Sequence, residues 1–157
     1  MPNFHLSQRS HSCLIGVDER LVSLVESGIL TSPLDVGVNE GLRTLERQKH
    51  LVAIGASQTL ESKHLTGEAV DLVPYIGGII RWEWPLYYPL AEHIRSVALS
   101  MNISLRWGGC WDVYGFTSTT SPCKELVENY VERQRKNGKK AFIDGPHFEL
   151  CKRSVKG

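Results

Sequence analysis

The chain has 157 residues, of which 41% are hydrophobic and 22% are charged, and its formal net charge is +1 at pH 7. This length and composition predict one soluble domain that buries about two thirds of its unfolded surface. The small net charge provides no strong field to attract nucleic acid or an acidic membrane, so a nucleic-acid-binding function is disfavoured.

The first third of the chain predicts two helices with a strand between them. Residues 18–28 suit a short helix with Asp18 as its N-cap, because apolar residues recur on one face. A short strand is predicted near residues 36–39. Residues 44–54 suit a second helix that Gly55 ends.

The remainder predicts two longer helices and three short strands. An apolar stripe over residues 90–101 recurs at helical spacing and indicates core packing. Another helix is predicted over residues 122–137, with Ser121 as its cap, Pro122 at its first position and Gly138 at its end. Strands are predicted at residues 69–73, 103–107 and 147–150. Helices that precede and interrupt short strands indicate an α+β domain and not a doubly wound sheet.

The cysteines and the N-terminal sequence restrict the class of protein and the compartment in which it is made. The four cysteines form no C-x-x-C pair, which disfavours a zinc ribbon or a redox motif. Nothing marks a secreted chain, so reduced thiols are predicted. The N-terminal sequence MPNFHLSQRS lacks the apolar run of a signal peptide. No apolar run approaches the roughly 18 residues of a membrane span. We therefore expect the protein to be made as a soluble cytoplasmic chain.

Residues 62–71 read SKHLTGEAVD and contain two candidate metal ligands. The turn-forming pair Thr66 and Gly67 precedes a predicted strand. A turn followed by a strand can bring His64 and Asp71 to one point, although they lie seven positions apart. This spacing alone is weak evidence for a metal site.

Residues 144–150 read DGPHFEL and contain a third candidate ligand. Side chains alternate along a strand, so His147 and Glu149 share one face while the apolar residues share the other. A bend at Gly145 allows Asp144 to fold back toward the same cleft.

Two imidazoles and one carboxylate form a typical catalytic zinc set that leaves a fourth position for water. Zinc lowers the pKa of that water to about 7 and polarises a neighbouring carbonyl. The reaction also needs a general base, for which Asp144 is the first candidate. Glu149 competes for this role, but its alternation with His147 favours a supporting hydrogen bond to that ligand.

Four blocks of the sequence resemble the D-alanyl-D-alanine metallopeptidase family, which includes phage endolysins that cleave peptidoglycan stem peptides. Residues 62–71 resemble its S-x-H-x-x-G-x-A-x-D signature. The letters EGLR at 40–43, with Gln48, are similar to its G-x-R segment and trailing glutamine. The letters LRWGG at 105–109 resemble the stretch before the third ligand, and GPHFEL at 145–150 resembles the ligand strand. The blocks follow the order of the family.

The resemblance implies a zinc peptidase with a small, mainly antiparallel sheet and helices packed on it, as in hedgehog-type relatives. The zinc ligands that it implies are His64, Asp71 and His147. Arg43 matches the arginine that steadies the substrate carbonyl or the charged tetrahedral species. Ser62 matches the signature serine, which hydrogen-bonds the substrate or the metal shell. Without the family, Arg43 would be read as a surface ion-pair residue and Ser62 as a turn residue.

Two features depart from the family pattern. Asp144 stands where many members have glutamate, and this choice favours the phage endopeptidase branch. Cys110 stands where related endolysins have an acidic residue. Residues 113–142 look like an inserted helical element that either covers the cleft or extends the core. With this insert, residues 1–157 are expected to form a single zinc peptidase domain.

These features predict an endolysin that cleaves the L-alanyl-D-glutamate bond of the stem peptide by attack of a metal-activated water. One alternative is a D,D-carboxypeptidase or dipeptidase acting on D-Ala-D-Ala termini, which would usually carry an export signal. Another is a zinc-binding module without hydrolysis, which the presence of Asp144 and Arg43 disfavours. We expect a monomer that binds neither nucleic acid nor, stably, a membrane. It would be made in the host cytoplasm and act on the cell wall after release.

Overall fold

The computed structural model describes residues 4–151 as helices packed on one antiparallel sheet. The helices are α1 (Gln8–Cys13), α2 (Glu19–Thr31), α3 (Leu45–Ala53), α4 (Tyr87–Ser100) and α5 (Cys123–Lys136). The strands are β1 (Asp35–Glu40), β2 (Ala69–Ile76), β3 (Ile79–Ile80), β4 (Leu105–Trp107) and β5 (His147–Leu150). The strand order is β1-β2-β5-β4, and β3 pairs with β2. The predicted α+β class with a small antiparallel sheet is confirmed.

The N-terminal half contains one helix that the sequence did not indicate. Helix α1 is only six residues long and has no periodic apolar stripe; Ser7 caps it by accepting a hydrogen bond from the Ser10 N–H. The predicted helix after Asp18 is confirmed, with its cap, but it continues past Gly28 to Thr31. Gly28 lies within this helix where α2 meets α4, since a Cβ there would lie 3.4 Å from Ile94.

Helix α5 begins differently from the prediction. Pro122 is the N-cap with extended backbone, and it does not occupy the first helical position. Ser121 does not cap the helix; the Cys123 N–H donates instead to Glu92 Oε1 of α4 at 2.6 Å. A carboxylate at a helix N-terminus is favourable because the free N–H groups there carry partial positive charge. The predicted end is confirmed, with Gly138 at φ +69°.

Strand β4 is shorter than predicted. The sequence indicated a strand from residue 103, but α4 ends at Ser100, and the Ile103 N–H still donates to the Ala98 carbonyl at 2.9 Å. Asn102 adopts φ 59°, the left-handed conformation typical of a helix end. The strand therefore starts only at Leu105.

The register of the sheet brings distant parts of the sequence together at its centre. Strand β5 lies between β2 and β4, and Asp71 of β2 pairs directly with His147 of β5. Helix α4 packs against α2, α5, β2 and β4, so that one core fills the space between the helices and the sheet. Its largest fully buried side chains include Trp107, Tyr87, Phe116 and Phe148. This core fixes the strands that carry the candidate ligands.

Two further observations concern the whole described range. Between residues 4 and 151, no helix combines the length and apolar character needed to cross a membrane. Cys13, Cys110, Cys123 and Cys151 are all free cysteines. The expectations about the extreme N-terminus and about a domain reaching residue 157 include residues 1–3 and 152–157, which lie outside the described range.

Candidate metal centre and active site

Three predicted ligands converge at the centre of the sheet. His64 Nε2 lies 3.1 Å from Asp71 Oδ1 and 3.2 Å from His147 Nδ1. His147 Nδ1 lies 3.4 Å from Asp71 Oδ1. Both histidines are buried, and the three residues are grouped closely enough to hold one metal ion. Two imidazole nitrogens and one carboxylate oxygen suit zinc and other first-row transition metals.

A tight turn places His64 opposite the strand that carries Asp71. Residues Lys63–Thr66 form a 3₁₀ helix, and the Ser62 hydroxyl caps it by accepting from the His64 N–H at 3.2 Å. Gly67 ends the turn at φ +75°, where a Cβ would also lie 2.4 Å from the Gly16 carbonyl oxygen. A side chain at this position is therefore excluded by both conformation and space. The predicted turn followed by a strand is confirmed, and it brings His64 close to Asp71.

Each imidazole is oriented by a hydrogen bond on its far side. His64 Nδ1 donates to the Gly41 carbonyl at 2.7 Å, which leaves Nε2 facing the centre. His147 Nε2 donates to Glu149 Oε1 at 2.9 Å, which leaves Nδ1 facing the centre. Such outer hydrogen bonds fix the tautomer and the ring plane of a metal-binding histidine. Glu149 thus lies on the face of β5 that alternation predicted.

The electrostatics of this cluster favour a bound cation. Burial raises the pKa of Asp71, but hydrogen bonds from His147 and His64 outweigh it and hold that pKa well below its usual range. Burial lowers the pKa of His147, yet its hydrogen bonds to Asp71 and Glu149 raise it to about 9. The cluster therefore attracts positive charge, here a proton and in a metal complex the ion itself. The types of donor atom and the cluster's attraction for positive charge both fit a divalent metal.

Asp144 lines the same cleft without joining the ligand cluster. Burial and the neighbouring Asp71 carboxylate raise the pKa of Asp144 to about 6. Its backbone is fixed by the Asp144 N–H, which donates to the Gly108 carbonyl at 2.8 Å, and by its own carbonyl, which accepts from the His147 N–H at 3.1 Å. A Cβ on Gly108 would lie 2.3 Å from the Asp144 carbonyl oxygen, so this close approach requires glycine.

Arg43 is a buried ion-pair residue and not the surface one considered as an alternative. Its Nε and Nη2 donate to the two oxygens of Glu40 at 2.7 Å each. Its Nη1 donates to Gln48 Oε1 at 2.7 Å and lies 3.5 Å from the Ser62 hydroxyl. The guanidinium also borders the metal cluster, with Nη2 3.8 Å from Asp71 Oδ2. Ser62 therefore caps the turn and touches Arg43 as well.

Several cleft residues were missed by the sequence reasoning. The indole of Trp111 packs on His147 with ring centroids 4.9 Å apart. Glu40 holds Arg43 by a pair of hydrogen bonds, and because these residues lie at a strand end and in a loop, helical spacing could not have indicated the contact. The cleft of about 610 Å³ is also lined by Trp82, Tyr130 and Phe142. No local pattern marks these three, because they reach the cleft only through tertiary packing.

Residues 113–142 contribute to both the core and the cleft. Phe116, Cys123 and Leu126 are buried in the hydrophobic core. Tyr130 and Phe142 line the cleft. The segment thus lines the cleft and contributes to the core, and its interpretation as an insert that covers the cleft or extends the core stays a prediction.

Comparison with known proteins places these features in context. A family model described as phage L-alanyl-D-glutamate peptidase matches residues 2–151. A protein of Escherichia phage T5 named L-alanyl-D-glutamate peptidase is 28% identical over 117 residues, covering 72% of this chain and 85% of that protein. A protein of the same name from Listeria phage A118 is 36% identical over 78 residues, which are 50% of this chain and 27% of that longer protein.

One solved structure is similar to this chain in both fold and sequence. It is the crystal structure of Serratia marcescens L-Ala D-Glu endopeptidase ChiX, with a TM-score of 0.70 and 33% sequence identity. The alignment covers 96% of this chain and 92% of that one. The likeness therefore extends over almost the entire structure, including the sheet that carries the candidate ligands.

Proposed function

The chain belongs to the phage L-alanyl-D-glutamate peptidase family, and from this membership we propose that it cleaves the L-alanyl-D-glutamate bond of peptidoglycan stem peptides with zinc as its metal. The observation that carries the proposal is the convergence of His64, Asp71 and His147 beside a peptide-sized cleft that Asp71 and His147 line. A cleft of this size is ordinary for a small-ligand or peptide site.

Zinc is the metal that we propose, and the donor set disfavours magnesium and calcium. Magnesium and calcium prefer oxygen ligands throughout, whereas this cluster offers two imidazole nitrogens and one carboxylate oxygen. The hydrogen bonds to Gly41 and Glu149 already hold both rings with the ligating nitrogens inward. Zinc in this position would polarise the scissile carbonyl and lower the pKa of the attacking water.

Asp144 is proposed as the general base and then the general acid. Its carboxylate lies in the cleft beside the cluster, and its pKa of about 6 allows it to be ionised at neutral pH and still accept a proton. Asp144 would take the proton of the attacking water and deliver it to the nitrogen of the departing D-glutamate. Glu149 is the weaker candidate, because its carboxylate already accepts from His147 and lies near Lys63.

Arg43 and Ser62 are proposed as positioning groups for the substrate. The guanidinium of Arg43 is fixed by Glu40 and Gln48, so little rotamer freedom is lost when it meets a developing negative charge. Its Nη2 borders the metal cluster, where the oxygen of the scissile carbonyl would lie. Ser62 contacts Arg43 and caps the turn that carries His64, so it supports both of these side chains.

The proposal also covers the oligomeric state, the place of action and the segment 113–142. We infer that the chain acts as a monomer on the bacterial cell wall after synthesis in the host cytoplasm. Residues 113–142 are proposed to be an insert within a single peptidase domain, with Tyr130 and Phe142 forming one wall of the cleft. The D,D-carboxypeptidase alternative and the non-catalytic module receive no specific support from the cleft.

Mass spectrometry of fragments released from a defined peptidoglycan tests the proposed bond. The expected products are peptides that begin with D-glutamate and glycan strands that keep L-alanine. Release of terminal D-alanine would instead support the D,D-carboxypeptidase. Zinc-loaded protein that releases no fragment would support the non-catalytic module.

A further inference from the structure

Arg106 is a cleft arginine whose side chain is held in place but retains free hydrogen-bond donors. Its Nε donates to the Trp111 carbonyl at 2.6 Å. Its guanidinium carbon lies 5.2 Å from the Trp111 ring centroid and 4.4 Å from that of Tyr114. The side chain is 23% exposed and lines the cleft. The stacked rings therefore fix the plane of the guanidinium at the cleft surface.

The terminal nitrogens of Arg106 make no hydrogen bond to the described residues of the protein. Within residues 4–151, they form an ion pair with Glu149, whose Oε2 lies 3.9 Å from Nη1, beyond hydrogen-bond distance. Arg43 differs, because all three of its nitrogens donate at 2.7 Å to Glu40 or Gln48. Of the cleft arginines Arg43 and Arg106, Arg106 is thus the one whose two terminal nitrogens both lack a hydrogen bond within the described residues.

The surroundings of Arg106 carry excess positive charge and a further free donor. Lys63 Nζ donates to the Leu150 carbonyl and lies 3.6 Å from Glu149 Oε2. Two cations therefore share one buried carboxylate, which also accepts from His147. The Trp111 Nε1 is a buried donor without an acceptor among the described residues. This wall of the cleft therefore carries more hydrogen-bond donors than the single Glu149 carboxylate satisfies.

We propose that Arg106 is a specificity-determining residue that binds the free α-carboxylate of the D-glutamate immediately after the cleaved bond. This inference rests on the proposed function. In peptidoglycan, D-glutamate continues the chain through its γ-carboxyl group, so its α-carboxylate is left free next to the scissile nitrogen. A planar guanidinium with two free terminal nitrogens matches a carboxylate by two parallel hydrogen bonds.

The position of Arg106 agrees with a group on the residue that carries the scissile nitrogen. His147 contacts Trp111, and Trp111 in turn stacks against Arg106, so one aromatic ring separates the guanidinium from a proposed metal ligand. The other carboxylates of the stem peptide, on the diamino acid and at the C-terminus, lie farther along the chain from the scissile bond. We therefore assign the subsite to the α-carboxylate of D-glutamate.

Three stem peptides test the assignment, with kcat/KM measured for cleavage between L-alanine and D-glutamate. The first has all carboxylates free, the second has the D-glutamate α-carboxylate as its amide, and the third has the diamino-acid carboxylate as its amide. The zinc-loaded wild-type protein should prefer the first over the second by about 10- to 100-fold, the usual range for a hydrogen bond to a charged group. The third should be cleaved nearly as well as the first.

Variants at Arg106 separate recognition from structural support. Arg106→Gln should abolish the preference for the α-carboxylate by losing activity on the first peptide only, and Arg106→Lys should restore part of it. Arg135→Gln removes an equal charge from the exposed end of α5 and should leave the preference unchanged. Zinc content is measured in every variant, because a merely structural role would lower cleavage of all peptides equally.

Specific outcomes would overturn the inference. A wild-type protein that cleaves the free and α-amidated peptides equally well, or an Arg106→Gln variant that keeps the preference, would refute it while leaving the proposed function intact. A preference that follows the diamino-acid amide would assign Arg106 to that carboxylate instead. Failure of the wild-type protein to cleave this bond in every peptide would refute the proposed function as well.

Discussion

The floor of the cleft and its rim use polar groups in opposite ways. The floor consists of His64 and His147, which are buried, and Asp71, which is half-buried. Hydrogen bonds to Gly41 and Glu149 orient the two imidazole rings. The rim consists of Arg106 and Trp111, which keep donors without protein acceptors. This difference supports the proposal that the floor binds a metal ion and that the guanidinium of Arg106 at the rim binds substrate.

This division follows from where each group sits in the fold. Two floor residues lie on paired central strands, at the Asp71–His147 register position. Arg106 lies on β4 at the edge of the sheet, and Trp111 on the loop that follows. Central strands are held from both sides, so they position ligands precisely, whereas an edge strand and loop can face a large substrate.

The largest effect is expected from removing a floor ligand. His147→Ala should lose zinc and activity together, because the site would retain only two protein donors. Metal analysis and peptidoglycan hydrolysis on the same sample check this outcome. His50→Ala, which removes an exposed histidine from α3, is the matched control and should retain both. A His147→Ala variant with a full equivalent of tightly bound zinc would remove this residue from the floor.

Asp144→Ala should keep zinc but lose about 10²- to 10⁴-fold in kcat, the usual contribution of a general acid/base group. In the wild-type protein, kcat/KM should fall as the pH drops below about 6, because protonated Asp144 cannot accept a proton. A cation on the floor favours the carboxylate, so this acidic limb is expected at or below that value. Loss of zinc in Asp144→Ala would instead make Asp144 a ligand, and full activity would transfer the role to Glu149.

Arg43→Lys should lower kcat by about 10- to 100-fold and change KM much less. Lysine keeps the charge but loses the planar fork that pairs with Glu40 and borders the floor. An interaction made mainly in the transition state appears in kcat, and uniform binding appears in KM. Arg47→Lys, on the exposed side of the same Glu40, provides the control. Unchanged steady-state constants on a soluble stem peptide would remove Arg43 from the catalytic residues.

Glu149→Gln should weaken zinc binding by about 10- to 100-fold, with a smaller loss of turnover at saturating zinc. The carboxylate accepts from His147 Nε2 and so supports its role as a ligand. Competition with a chelator measures the affinity. Glu132→Gln, which removes an exposed carboxylate from α5, should leave it unchanged. Equal zinc affinities in the two variants would mean that Glu149 belongs functionally to the rim and not to the support of the floor.

The floor was more predictable from the sequence than the rim. Strand alternation placed His147 and Glu149 on one face, and the turn at Gly67 joined His64 to Asp71, because both depend on neighbouring residues. The limits of β5 agreed with the structure for the same reason. Local pattern was sufficient for these features, although it missed other local contacts such as the ion pair of Glu40 with Arg43.

Contacts between distant segments were beyond such reasoning. The cap of α5 comes from Glu92, 31 residues earlier in the chain, and no local signal identifies it. The acceptor for His64 Nδ1 is the carbonyl of Gly41, a group that every residue possesses. The contact of Trp111 with His147 depends likewise on how a loop returns to the sheet. Tertiary packing decides these features.

Crystallography of the zinc-loaded protein, with anomalous data at the zinc edge, tests the central claim most directly. One anomalous peak is expected within about 2.0 to 2.2 Å of His64 Nε2, Asp71 Oδ1 and His147 Nδ1, with no protein atom in the fourth position. Asp144 should lie near the ion without ligating it. A peak coordinated by Asp144 or Glu149 in place of one of these ligands, or no peak in the cleft, would contradict the assignment of the floor as the metal centre.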